Sequence, residues 1–275
     1  MREPNHLRRI VLIWLALTVI VWPLVVFVFD ADLPPGREAD DAQGAVIDQT
    51  VLYAVAVPIA LALLVYFAYV LVAFRARGRE PGEGVAIRGD PRVARIWLIV
   101  TGTIALGMAI FGTVRLLEGG AGGGQGSDPL TKPDGTPLEV QVIGQQWQFT
   151  YRFPSFGGVE TSDLVLPVDR EIEFHVTSLD VVHSFWAYEL GVKADANPGE
   201  DNVTYVKPSK TGRFEVHCAE LCGLWHGHMF DGGRVVTEPQ FQTWIRRQQA
   251  RHAPGTRLLP PYSHRYFPAP QGRAG

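Results

Sequence analysis

The first half of the chain contains three long apolar stretches without a single charged side chain. They cover residues 10–29, 51–74 and 96–114. A helix rises about 1.5 Å per residue, so roughly 20 residues span a hydrocarbon core about 30 Å thick. Each stretch is therefore long enough to form a transmembrane helix.

The first stretch fits two interpretations. Arg2, Arg8 and Arg9 precede it, and basic residues followed by an apolar run are typical of a secretory signal peptide. The run is nevertheless long for a signal, and no clear Ala-x-Ala cleavage site follows Phe29. We expect residues 1–30 to be a signal peptide or a first transmembrane helix, and we favour the helix.

In the second half the pattern changes to strict alternation. Apolar and polar residues alternate in three short runs, whose apolar members are Leu138, Val140 and Val142; Trp147, Phe149, Tyr151 and Phe153; and Ile172, Phe174 and Val176. Short alternating runs broken by Gly, Pro and Asp predict an antiparallel β-sandwich or barrel. An amphipathic helix is expected only at 239–250.

These patterns divide the chain into successive segments. A transmembrane hairpin with spans of about 51–74 and 96–114 is expected within residues 31–127, and it ends in a glycine-rich segment whose composition predicts a flexible linker. The β domain is expected at 128–250. The remaining residues, 251–275, are rich in Pro and Arg and are expected to be irregular.

The distribution of charge predicts the orientation in the membrane. The 275-residue chain is 47% hydrophobic with a net charge of −3, which says little about partners. The loop between the second and third stretches holds six arginines, whereas the segment after the first stretch is acidic. Basic short loops stay in the cytoplasm. The β domain is therefore expected on the outer face.

Both cysteines of the protein lie in the sequence CAELCGLWHGHM, residues 218–229. This stretch offers two thiols, Cys218 and Cys222, an imidazole, His226, and a thioether, Met229. Thiolates and thioethers are soft ligands that favour copper, zinc or iron–sulfur over calcium or magnesium. A disulfide and a structural zinc site are the alternatives, but zinc leaves Met229 without a role.

Copper accounts for the whole ligand set. Blue-copper sites use two histidines, one cysteine and a weak axial methionine, and His183 in SLDVVHSFW is available as the second histidine. The extra cysteine would allow a second copper ion. On the outer face, two bare thiols so close together would be oxidised, and bound copper would keep them as thiolates.

These residues resemble the copper A loop of subunit II of haem–copper cytochrome c oxidases. The resemblance rests on Cys-x3-Cys-x3-His-x2-Met with Glu220 and Gly223 inside it, on the upstream Asp180-Val-x-His-Ser, on GQQW at 144–147 and on LGVKADANPG at 190–199. It extends from the second apolar stretch to about Trp244. It implies a cupredoxin-like sandwich, so that the fold class is membrane-anchored all-β, with residues 128–250 as the copper A domain.

The resemblance also implies a role for each ligand. Cys218 and Cys222 would bridge two copper ions, and His183 and His226 would each bind one of them. Met229 and the backbone carbonyl of Glu220 would be weak axial ligands. The Glu220 side chain would reach a magnesium or manganese ion shared with subunit I, for which a carboxylate is a suitable hard ligand.

Residues around the ligands are assigned more general roles. Trp147 matches the tryptophan through which the family accepts an electron from cytochrome c, although Gln148 and Phe149 replace the longer aromatic run that is common there. Asp180 and His217, and also Arg213, are candidates for hydrogen bonds that tune the ligands. Three acidic residues would attract a basic cytochrome electrostatically. They are Glu189, Glu200 and Asp201.

The implied function is that of a terminal cytochrome c oxidase subunit in the plasma membrane of a bacterium. The chain would take electrons from cytochrome c and pass them to haem in subunit I, with subunit III as a further partner and no nucleic acid. It has no Cys-x-x-Cys-His, so no c-type haem is attached.

Several rival functions share the ligand set in part. A copper A subunit of a nitric oxide reductase, or of an oxidase with another donor, is the nearest. Nitrous oxide reductase would need a large soluble catalytic domain, and quinol-linked relatives lack the cysteines. A membrane-anchored copper-delivery protein would hold one exchangeable ion.

Overall fold

The structure is a computed structural model, and its backbone clusters into two units. It describes residues 5–29, 36, 38, 39, 42–75, 89–119, 123–129, 132 and 135–256. The helical unit comprises Met1–Leu33 and Ile47–Val114, and the β unit comprises Pro34–Val46 and Arg115–Gly275.

All three apolar stretches are helical. Helix α1 spans His6–Pro23 and continues as a π-helical turn over Leu24–Val28, α2 spans Ala42–Ala73, and α3 spans Pro91–Gly119. Each is long and apolar enough to cross a membrane. Helices α2 and α3 begin before the apolar stretches do, because polar residues such as Gln43 and Arg92 continue a helix as readily as apolar ones.

The β unit is a sandwich of two five-stranded sheets. Its strands are β1 Leu138–Gln145, β2 Gln148–Phe153, β3 Val159–Thr161, β4 Leu164–Pro167, β5 Ile172–Ser178, β6 His183–Ala187, β7 Val192–Ala196, β8 Asn202–Val206, β9 Gly212–Cys218 and β10 Phe230–Val236. One sheet has the order β3-β2-β1-β5-β8 and the other β4-β10-β9-β6-β7. Pairs β1–β5 and β4–β10 are parallel, and the remaining pairs are antiparallel.

The predicted alternation is what builds the core. Phe149, Tyr151 and Phe153 of β2 are at most 2% exposed, while the residues between them face outward. Rings from both sheets meet edge to face, as in the pair Phe149–Phe185, whose centroids are 5.9 Å apart at 80°. Trp147 does not continue the β2 pattern, because it lies in the turn between β1 and β2 and is only half-buried.

The C-terminal helix is longer than its amphipathic pattern predicts. Helix α4 spans Glu238–Thr256 and packs Phe241 and Ile245, both 0% exposed, against the sandwich. The expectation of an irregular tail from Arg251 is therefore wrong as far as Thr256. The rest of that tail lies outside the described residues.

Part of the glycine-rich segment is paired with the sandwich instead of being a free linker. The Gly124 N–H donates to the Lys193 carbonyl, the Gln125 N–H donates to the Val203 carbonyl, and the Val203 N–H donates to the Gly126 carbonyl, each at 2.9 Å. A Cβ on Gly124 would meet the end of the Asn202 side chain. Glycine therefore allows a close approach to Asn202 here, whereas composition alone predicts flexibility.

Candidate metal centre

The predicted ligand loop connects two neighbouring antiparallel strands. Cys218 is the last residue of β9 and Met229 directly precedes β10, and the Cys218 N–H donates to the Met229 carbonyl at 3.0 Å. Gly223, at φ +114°, turns the chain in a conformation that side chains rarely adopt. A short 3-10 turn over His226–His228 then returns the loop to β10. Both ends of the loop are thus fixed by the sheet.

Two free thiols lie at the centre of the cluster. The Sγ atoms of Cys218 and Cys222 are 3.8 Å apart, too far for a disulfide bond of about 2.05 Å. Both residues are buried, at 8% and 3% exposed. The disulfide interpretation therefore has no support in the geometry, and both sulfurs remain available as ligands.

Each sulfur lies beside a different imidazole and beside a different candidate for a weak axial ligand. Cys218 Sγ lies 3.8 Å from His183 Nδ1 and 3.2 Å from the Glu220 carbonyl oxygen. Cys222 Sγ lies 3.5 Å from His226 Nδ1 and 3.7 Å from Met229 Sδ. The ligand atoms of His183, Cys218 and Cys222 all lie within 4.8 Å of one another. All six predicted ligands thus meet at one place, with the two imidazoles beside different sulfurs.

His183 is oriented by a carboxylate. It begins β6, is 0% exposed, and its Nε2 lies 2.8 Å from Asp180 Oδ1. An ionised carboxylate only accepts, so Nε2 carries the proton and Nδ1 faces Cys218. Metal-binding histidines commonly donate their second N–H in this way. The predicted role of Asp180 as a hydrogen-bond partner of a ligand agrees with this geometry.

The surroundings of the two thiols shift their pKa values in opposite directions. Burial opposes ionisation of Cys218, but the contacts of its sulfur with His183 and with the Ser184 backbone outweigh burial and lower the pKa of that thiol. At Cys222, burial and the adjacent Cys218 sulfur both raise the pKa. The pair therefore keeps one proton at neutral pH, because two adjacent buried thiolates repel each other. A bound cation that replaces this proton would make both sulfurs thiolates.

Gln146 contacts the ligand loop, although the pattern of ligand residues in the sequence does not identify it. The Gln146 side chain donates from Nε2 to the Cys222 carbonyl at 2.7 Å, and its backbone N–H donates to Asp180 Oδ2 at 2.7 Å. Gln146 thus joins the β1–β2 turn to the ligand loop and to the partner of His183. Its place directly before Trp147 in GQQW is the only signal of this role in the sequence.

Trp147 itself lies against the ligand loop. A Cβ built on Gly223 would be 3.6 Å from Trp147 Nε1, so the indole ring contacts the chain just after Cys222. The residue is half-buried and also packs against the core. Its predicted position near the cluster is therefore consistent with the structure.

Other candidates do not reach the cluster. His217 precedes Cys218 on β9, and successive strand residues face opposite sides. Its Nε2 lies 3.1 Å from Glu215 Oε2 and its ring beside Tyr188. Arg213 is an exposed residue of β9, at the far end from Cys218.

The acidic residues expected to attract a cytochrome differ in accessibility. Glu200 is exposed and Glu189 half-buried. Asp201 is only 12% exposed in its side chain, and its Oδ2 lies 2.8 Å from His175 Nδ1. Asp201 is therefore paired internally and is not free to steer a partner.

The fold and the cluster together define a class: a membrane-anchored β-sandwich of cupredoxin type with a candidate metal-binding loop between two strands. Residues 159–232 match the family described as cytochrome C oxidase subunit II, periplasmic domain. Cytochrome c oxidase subunit 2 of Thermostichus vulcanus is 35% identical over 127 residues, 46% of this chain and 38% of that protein. The probable cytochrome c oxidase subunit 2 of Rickettsia conorii is 34% identical over 131 residues, 40% of this chain and 42% of the relative.

This chain also covers nearly the whole length of a solved domain structure. The periplasmic domain of subunit II of cytochrome oxidase from Bradyrhizobium japonicum is 34% identical, over 44% of this chain and 97% of that chain, with a TM-score of 0.41. The β unit therefore contains a region of the cytochrome c oxidase subunit II family, matched over residues 159–232. The chain spans about two fifths of the length of these two curated relatives. The expected fold class, membrane helices followed by a cupredoxin-like sandwich, is confirmed. The chain is a membrane protein that contains a domain of a periplasmic family.

Proposed function

We propose that this chain is the electron-accepting subunit of a terminal cytochrome c oxidase and that its cluster holds a binuclear copper A centre. The observation that carries the proposal is the meeting of two buried thiols, two imidazoles and a thioether at one end of the sandwich. Relatives named as cytochrome c oxidase subunit 2 support an oxidoreductase role. Oxygen would be reduced in another chain, subunit I.

The residues of the cluster suit two copper ions better than one ion or zinc. Thiolate, imidazole and thioether are the ligands that copper prefers, and Met229 would have no role at zinc. Because each imidazole lies beside a different sulfur, His183 and His226 would bind separate ions, with Cys218 and Cys222 between them. The copper pair supplies reversible one-electron transfer when bound.

The chain's own residues prepare this site in three ways. Burial of both cysteines excludes water and oxidants from the sulfurs. Asp180 holds His183 with its Nδ1 towards Cys218, so little rearrangement is needed on binding. Gln146 fixes the Trp147 turn against the Cys222 carbonyl. Trp147 would then receive the electron from cytochrome c at a fixed distance from the ligands.

The surface of the ligand loop favours docking of large partners. Leu221, Leu224 and Trp225 are 77%, 85% and 50% exposed, and Phe230 directly after the loop is 63% exposed. A group of exposed large apolar residues marks a protein interaction site. We assign this surface to contacts with subunit I and cytochrome c, and we assign subunit III to the same assembly. The Glu220 side chain is exposed beside it and would supply a carboxylate to a magnesium or manganese ion shared with subunit I.

We assign this function to the outer face of a bacterial plasma membrane. Arginines between α2 and α3 favour a cytoplasmic loop, so the β unit that follows α3 would be outside. In an oxidising compartment, bound copper would add to the effect of burial in keeping the two neighbouring cysteines as thiolates.

The deciding experiment is copper analysis of the purified full-length chain with electron paramagnetic resonance. We expect two coppers per chain and a signal from one unpaired electron shared by two copper nuclei. Cys222→Ser should abolish the shared signal, while His228→Gln in the same loop should leave it unchanged, because His228 stacks on Trp225 and not on the cluster. One copper with an ordinary mononuclear signal would support a copper-delivery protein instead.

The role of Trp147 needs a separate kinetic test. Trp147→Phe should slow electron uptake from reduced cytochrome c by about tenfold or more, because the indole is the contact between the surface and the Cys222 loop; that factor is an order-of-magnitude expectation for a barrier change of about 1.4 kcal/mol. Copper content should stay the same. Trp186→Phe, on the outer face of β6, is the matched control. An unchanged rate in Trp147→Phe would move electron uptake to another surface.

A further inference from the structure

Helix α1 has one face that meets protein, although its apolar sequence is uniform. Between residues 6 and 20 the half-buried positions recur every fourth residue, and the positions between them are exposed. The face consists of His6, Ile10, Trp14 and Thr18, and it continues with Trp22 and the buried Val26. Residues four apart lie on one side of a helix. This stripe is therefore a specific contact surface within the helical unit.

The partner of this surface is α2, which contains an internal proline. Pro58 lacks the backbone N–H that would otherwise donate to the carbonyl four residues earlier, that of Ala54. The Trp22 indole Nε1 donates to this Ala54 oxygen at 3.0 Å. The side chain of one helix thus supplies the hydrogen bond that the other helix has lost.

Two further polar contacts fix the pairing of the helices. Trp14 Nε1 donates to the Pro58 carbonyl at 2.9 Å. His6 Nδ1 lies 2.8 Å from the Tyr69 hydroxyl. Rising residue numbers in α1 meet falling numbers in α2, so the two helices run antiparallel, with contacts at both ends and in the middle.

These contacts matter because a hydrocarbon core contains no water to satisfy a free carbonyl. Transmembrane helices with internal prolines depend on neighbouring groups to pair the carbonyl that is left over. A cleaved signal peptide is removed before it could serve α2 in this way. We propose that α1 is a permanent third helix of the membrane unit, held on α2 by Trp22, whose indole caps the carbonyl freed by Pro58. This inference does not depend on the copper site.

The first test is the intact mass of the chain purified from membranes. The full sequence has a mass of 30.3 kDa. We expect the purified protein to retain residues 5–29. A mature N-terminus after residue 29 would overturn the proposal, because the capping helix would be absent.

The second test separates the capping bond from general packing. Trp22→Phe keeps an aromatic ring but removes the donor, and it should lower the ratio of folded to unfolded chain about threefold in detergent, the usual effect of one hydrogen bond between membrane helices. In a Pro58→Ala background, the restored N–H of residue 58 donates to the Ala54 carbonyl. Trp22→Phe should then leave the ratio of folded to unfolded chain unchanged. An equal effect in both backgrounds would overturn the capping role.

Two variants serve as matched controls for this cycle. Trp14→Phe should act equally in both backgrounds, because its acceptor is the carbonyl of residue 58 itself, which the alanine keeps. Trp97→Phe, on α3 and 66% exposed, should leave the folding equilibrium unchanged. If the effect of Trp14→Phe also disappeared in the Pro58→Ala background, α2 would have loosened as a whole. That result would count against a specific bond between Trp22 and the Ala54 carbonyl.

Discussion

Two buried histidines of the β unit have nearly the same surroundings but differ in one neighbour. His183 and His175 are 0% and 4% exposed, and each has a ring nitrogen 2.8 Å from an aspartate, Asp180 and Asp201 respectively. They differ at the second nitrogen. His183 turns it towards the Cys218 sulfur, whereas His175 Nε2 faces the Glu173 carboxylate at 3.5 Å.

The second neighbour therefore decides what a buried histidine can do. Burial lowers the pKa of His175, but Asp201 and Glu173 outweigh it and raise the pKa to about 9. With both nitrogens facing carboxylates, His175 remains a cation at neutral pH and stabilises the fold as part of an ion pair. His183 has one carboxylate and one sulfur neighbour, so a metal can take its Nδ1 lone pair without breaking the bond to Asp180.

The largest expected effects come from replacing each histidine in turn. His183→Gln should eliminate the shared-electron copper signal completely, because one of two imidazole ligands is lost. His175→Gln should keep the signal but reduce the free energy of unfolding by about 3–5 kcal/mol, as expected when a buried charged partner is removed. Copper spectroscopy and denaturant unfolding of the full-length chain measure both.

The comparison fails if the two variants behave alike. Loss of the copper signal in His175→Gln under conditions where the chain is folded would show that this histidine supports the metal site. A normal signal in His183→Gln would remove it from the ligands.

His175 should make its own contribution to the pH dependence of stability. Its pKa in the folded chain, about 9, exceeds the ordinary value of 6.5. A raised folded-state pKa means that the pair contributes fully below pH 6.5 and that its contribution is lost as pH rises through about 9. The difference corresponds to roughly 3 kcal/mol. Unfolding free energies of the parent chain minus those of His175→Gln, measured from pH 6 to pH 10, isolate this effect. A flat difference would mean that the imidazole is neutral in the fold.

The smallest effect is expected from the carboxylate beside His183. Asp180→Asn keeps the shape but weakens the acceptor for His183 Nε2, and such partners of metal-binding histidines contribute about 10–100-fold in metal affinity. We expect that loss in competition titrations with a copper chelator, while the apoprotein's unfolding midpoint changes little. Asp195→Asn, exposed on β7, is the control and should bind copper as the parent does. Unchanged affinity in Asp180→Asn would limit Asp180 to a structural role.

The predictions from sequence were strongest where the chemistry is local. Cys218, Cys222, His226 and Met229 are close in the chain, so their spacing alone identified them as a possible site. Distant partners were predicted less well. His217 was chosen as the sequence neighbour of Cys218, but strand alternation turns it away, and Arg213 lies at the far end of β9. Gln146 was missed, because its contact with Cys222 joins residues 76 positions apart.

The same contrast holds for the fold. Uniform apolar stretches and period-two alternation are determined by the sequence, because burial in lipid or against one sheet face depends on side-chain type at each position. Which carbonyl Trp22 caps, which carboxylate His175 meets, and how residues 123–126 pair with the sheet edge depend on long-range packing. Hydrogen-bond partners far apart in the chain have no periodic signal, so only the tertiary structure decided that His183 faces a sulfur and His175 a second carboxylate.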